Sequence, residues 1–122
     1  PMTASSISRS LDWIPLCQRR DLVPFSGVAA WIDSAEGPAQ VALFYLPGHS
    51  PELFAIDHHD PIAKANVLAR GIVGDIQGEP VVASPLYKQH FRLKDGSCVE
   101  DASVSLRTWA VAFDQDSVMI AP

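Results

Sequence analysis

The sequence has only two cysteines, Cys17 and Cys98, set far apart. They form no C-x-x-C pair and no zinc-type spacing, which removes a dense disulfide framework and a zinc finger from consideration. A disulfide between the two stays open. Two reduced thiols in a reducing compartment are the expectation. Basic residues are also few: nine Lys and Arg stand against fourteen Asp and Glu, for a net charge of −5. With no basic run, nucleic acid is not an expected partner. No apolar stretch approaches the roughly 18 residues of a membrane span, so no membrane contact is expected. No charged-then-apolar leader is visible, which makes the cytoplasm the expected location. Neither G-x-G-x-x-G, nor a P-loop, nor G-x-S-x-G occurs, so nucleotide binding and serine hydrolase chemistry lack their usual signals.

What is present is the texture of a single β-rich domain. The 122 residues are 48% apolar and 19% charged, which is globular composition. A chain this long buries enough surface to form a core without staples. Residues 1–10 are polar and Ser-rich and read as a flexible N-terminal arm. Residues 11–122 read as the domain. Short apolar runs suggest strands over Gly27–Ile32, Gln40–Leu46, Leu53–Asp57, Val81–Ala83 and Gln89–Leu93. Later strands follow around Trp109, Val111 and Phe113, then Val118 and Ile120. Ser34–Pro38, Pro47–Pro51, Gln77–Pro80 and Asp95-Gly96 carry turn chemistry. Residues 63–70 are either one or two helical turns ended at Gly71 or an ordered loop. The pattern predicts an all-β antiparallel sandwich or barrel.

Candidate chemistry is sparse. The histidines are His49, His58, His59 and His90. His58, His59, Asp60 and His90 define the one imaginable metal site, which would make a small metal-dependent enzyme. Against it, adjacent residues on a strand point to opposite faces, and no H-x-H or H-x₃-H spacing occurs. A loop conformation would relax the first objection. Ser84 and the scattered carboxylates Asp57, Asp60, Asp75 and Glu79 form no recognisable catalytic set. No catalytic residue is expected.

Two segments are more informative than their own chemistry. Ala55-Ile56-Asp57-His58-His59-Asp60-Pro61-Ile62 resembles the first ligand loop of a Rieske domain, which runs to C-P-H. Val81-Val82-Ala83-Ser84-Pro85-Leu86-Tyr87 resembles the second loop, C-P-x-H. The two Cys positions hold Asp60 and Ser84, and the two His positions hold Ile62 and Tyr87. A Rieske centre needs two thiolates and two imidazoles, so these four ligand positions are vacant and no metal is expected. Val67-Leu68-Ala69-Arg70-Gly71-Ile72 and Val82-Ala83-Ser84-Pro85-Leu86-Tyr87-Lys88-Gln89-His90-Phe91 further resemble the small-subunit family of assimilatory NAD(P)H nitrite reductases. That resemblance implies a Rieske-like fold and an accessory subunit that binds no cofactor. It also implies a large-subunit partner carrying flavin, an iron–sulfur cluster and sirohaem, which reduces nitrite to ammonium. Arg70, Lys88 and Gln89, long polar residues beside the vacant loops, are the candidate partner contacts. The other readings are a ferredoxin-like electron carrier with an unconventional cluster and the metal-dependent enzyme above.

Overall fold

A computed structural model describes residues 12–122. The arm expected over residues 1–10 lies outside the described residues. Eleven strands occur in the described part: β1 Ile14–Gln18, β2 Ser26–Ser34, β3 Gly37–Tyr45, β4 Leu53–Asp57, β5 His59–Asp60, β6 Ala65–Asn66, β7 Ile72–Ile76, β8 Glu79–Ala83, β9 His90–Arg92, β10 Thr108–Asp114 and β11 Ser117–Ala121. Two single 3-10 turns, Arg19–Asp21 and Leu68–Arg70, complete the set. The fold is all-β, and every paired strand runs antiparallel to its neighbour.

Strands β3 and β4 explain the architecture, because both of their faces are buried. Val41 and Leu43 point to one core with Leu53, Ala55, Trp109, Val118 and Ile120. Ala42 and Phe44 point to a second core with Phe54, Ile56, Val82 and Phe91. A strand buried on both sides reads as a continuous apolar run rather than an alternation. That is the pattern seen from Val41 to Leu46. The large sheet has the order β1-β11-β10-β4-β3-β2 and curls around the first core, close to a barrel. A three-stranded sheet, β7-β8-β9, covers the second core.

The segment after β4 contains one helical turn, of the 3-10 kind, ended at Gly71. It makes the short β5–β6 pairing and then the 3-10 turn Leu68–Arg70, whose Leu68 and Ala69 are buried. Gly71 ends that turn for a packing reason, not as a left-handed cap. Its φ is −70°, and an added Cβ would sit 2.4 Å from the Ala83 carbonyl oxygen. Gly27 is required in the same way, since a Cβ there would meet the Ala69 carbonyl at 2.6 Å and the Phe44 ring at 2.8 Å. Close backbone approach at these two glycines seats the turn between β2 and β8, directly behind the two loops described next.

Candidate functional site

The first loop leaves β4 at Asp57 and is fixed by backbone and side-chain hydrogen bonds at each step. Asp57 accepts the His59 N–H at 2.9 Å. The His58 N–H donates to the Gln40 carbonyl, and the His58 carbonyl accepts from Val67 and Leu68. Its buried ring accepts the Ala69 N–H on Nδ1 at 3.0 Å. Burial first, and then the nearby Arg70 cation, push the His58 imidazole below the ordinary histidine range, with Asp57 opposing. A neutral ring is also what the hydrogen bond requires, since Nδ1 accepts. His58 thus ties the first loop to the 3-10 turn.

Asp60 is fully buried and makes the central contacts. Its Oδ1 accepts the N–H groups of Ile62 at 2.9 Å and Ala63 at 3.2 Å. Its Oδ2 accepts the hydroxyl of Ser84, equally buried, in the second loop. A carboxylate withdrawn from water is tolerable because three donors converge on it.

The two loops share one plan. Asp60-Pro61-Ile62-Ala63-Lys64 and Ser84-Pro85-Leu86-Tyr87-Lys88 both read polar-Pro-x-x-Lys. In each, the lysine N–H returns to the carbonyl of the first residue, at 2.7 Å in the first and 3.1 Å in the second. Both lysines hold a left-handed backbone, with φ of 57° and 65°. This repeat was readable in the sequence, where two [Asp/Ser]-Pro-x-x-Lys stretches follow strands. The bond between Asp60 and Ser84 was not, because it joins residues from separate sheets.

The four positions that the resemblance to Rieske ligand loops picks out do not suit a cluster. The oxygens of Asp60 and Ser84 are bonded to each other and to backbone. Ile62 has no donor atom and packs against the second core. Tyr87 is 61% exposed. Hard oxygen is in any case a poor substitute for thiolate. Cys17 and Cys98 are free thiols on β1 and beyond β9, outside both loops. The metal site imagined for the histidines does not form either. His58 points inward, and His59 points outward to Asn66 at 3.0 Å. His90 pairs with Glu100 at 2.6 Å. Among the described residues, no three His, Cys, Asp or Glu side chains gather to hold an ion. Of the candidate partner contacts, Arg70 and Lys88 are exposed. Gln89 is half-buried, with its amide oxygen turned away from solvent and without a partner.

Comparison with known proteins places this geometry. The model of the Rieske-like [2Fe-2S] domain matches residues 12–121. Over 95 residues the chain is 46% identical to the NADH nitrite reductase small subunit of Salmonella typhimurium, covering 78% of this chain and 83% of that protein. The NMR structure of the Escherichia coli protein NirD superposes with a TM-score of 0.78 at 39% identity, covering 91% of this chain and 96% of that one. A Klebsiella oxytoca protein named nitrite reductase [NAD(P)H] large subunit is 35% identical over 111 residues, which are 91% of this chain but 11% of that protein.

Proposed function

This chain belongs to the Rieske-like [2Fe-2S] domain family and, within it, to the small subunits of NADH nitrite reductase, and from that premise we propose that it serves the complex without redox chemistry of its own. In this reading it docks on the large subunit and stabilises or regulates it. The large subunit carries flavin, iron–sulfur cluster and sirohaem and reduces nitrite to ammonium in the cytoplasm, as a step of nitrate assimilation.

The observation that carries the reading is the Asp60–Ser84 bond. Two residues that would hold one iron of a Rieske centre instead bond each other in a sealed site. The loops therefore have an internal link where a cluster would otherwise join them. The Klebsiella oxytoca match supports the choice of partner, since there a similar stretch lies within a protein named as the large subunit. We keep Arg70 and Lys88 as contact residues, and Gln89 as a residue that positions the second loop: its carbonyl accepts the Ser84 N–H at 2.8 Å.

The test is reconstitution. The large subunit is assayed for nitrite-dependent NADH oxidation with and without this chain, alongside gel filtration of the mixture. The reading expects a complex and a gain in activity or in the lifetime of activity. Absence of both overturns it.

A further inference from the structure

We infer that the tips of the two loops form the surface that meets the large subunit, and that the partner presents there an apolar patch bordered by carboxylates. This rests on the accessory-subunit reading above and specifies its interface.

The centre of the surface is apolar. Leu86 is 53% exposed and Tyr87 61% exposed, side by side in the second loop. In the first loop, Pro61, which matches Pro85, is exposed and adds apolar surface, whereas Ile62, which matches Leu86, packs against the second core. The Asp60–Ser84 bond holds the two loop bases together, so these side chains flank one junction. Large apolar side chains on a rigid, hydrogen-bonded turn lose little conformational freedom on binding, and tyrosine is enriched at interface centres.

The rim is cationic, on a chain whose net charge is −5. No carboxylate occurs from Pro61 to Gly74 or from Val81 to Lys94. The nearest one, Asp60, is buried and bonded. Lys64, Arg70 and Lys88 lie in these stretches and have no ion pair among the described residues. Of the other described cations, Arg92 and Lys94 pair with Glu79, Arg107 pairs with Glu36 and Arg19 lies over the Phe113 ring, while exposed Arg20 near β1 also has no ion pair among the described residues. Lys64 and Lys88 each close one of the two proline turns, so an unpaired cation stands in each loop, and Lys88 directly follows the exposed Leu86–Tyr87 pair. Charge complementarity then calls for an acidic border on the partner, which also speeds association at low salt.

The experiment is a binding titration of the full chain against the intact large subunit at two salt concentrations. The wild type should bind, more weakly at high salt. Leu86→Ala/Tyr87→Ala should weaken binding by about tenfold or more, as interface-centre truncations do. Lys64→Glu/Lys88→Glu should weaken it comparably and flatten the salt dependence. Lys64→Gly/Lys88→Gly removes the charges while suiting the left-handed backbone, so it guards against misfolding, and it should also weaken binding. Val23→Ser and Arg20→Glu, exposed near β1, should bind as wild type. If the wild type binds and the tip variants match it, or the β1 variants weaken equally, the tip assignment falls and the accessory reading stands. If the wild type does not bind at all, both fall.

Discussion

Ser84 donates its hydroxyl hydrogen to Asp60, and this one buried bond joins two loops that start 24 residues apart in the chain. Asp60 in turn caps the N–H groups of Ile62 and Ala63. In the proposed correspondence with Rieske ligand loops, a carboxylate and a hydroxyl join the loop pair where a cluster would join it.

The first prediction concerns that bond. Ser84→Ala removes one of three donors to a buried carboxylate and should destabilise the fold by about 1–3 kcal/mol. Asp60→Ala strands two backbone donors as well and should lose about twice as much. Because the residues share one bond, the double variant should lose less than the sum, by about 1 kcal/mol. Denaturant unfolding of the four proteins measures this, and strictly additive losses would contradict the link.

The second prediction is a pH dependence. The folded state holds His58 neutral, with its pKa below the ordinary value of about 6.5. Between that ordinary value and the lowered folded one, the unfolded chain binds a proton that the folded chain does not. Stability is therefore fully present above about pH 6.5 and declines as the pH falls toward the folded value. His58→Leu should remove this slope while lowering stability overall, since the Ala69 N–H loses its acceptor. Arg70→Gln removes the second cause of the depression and should raise the His58 pKa in an NMR titration.

The third prediction concerns the seat of the 3-10 turn. Gly71→Ala drives a Cβ into the Ala83 carbonyl, and Gly27→Ala into that of Ala69. Neither contact is with a flexible side chain, so each should destabilise the protein by about 1–3 kcal/mol. Gly74→Ala is the control: its nearest neighbour would be 4.0 Å away, and its melting temperature should stay close to wild type.

Much of this was legible in the sequence, for reasons visible in particular strands. Leu53–Asp57 is apolar over four consecutive buried residues, and the strand expected there has the observed bounds. The sequence carries no strand signal for β7, an edge of the small sheet interrupted by Gly74 and Asp75, with Ile72 71% exposed. Its pairing with β8 makes it a strand, and no pattern of burial marks it. Residues 63–70 left helix and loop open because local composition suited both. Close approach of Gly71 and Gly27 to neighbouring backbone settles the turn. The four ligand positions Asp60, Ile62, Ser84 and Tyr87 came from resemblance. Their fates differ, bonded, packed or exposed, and could be read only in three dimensions.

A fourth prediction asks whether the loops keep the geometry of their relatives. Asp60→Cys, Ile62→His, Ser84→Cys and Tyr87→His together restore two thiolates and two imidazoles at the vacant positions. Expressed with cluster assembly intact, the quadruple variant should take up iron and colour. Asp60→Cys with Ser84→Cys alone should not form a Rieske centre, because the imidazole side stays empty. A colourless quadruple variant that is folded would show that the loop backbone has departed from the cluster-binding form.

The most direct test of the account is the iron and acid-labile sulfide content of the unmodified chain, purified without air and measured beside its visible spectrum. The account predicts a colourless protein with iron far below one atom per chain. About two irons and two sulfides per chain, with visible absorption bands, would contradict it.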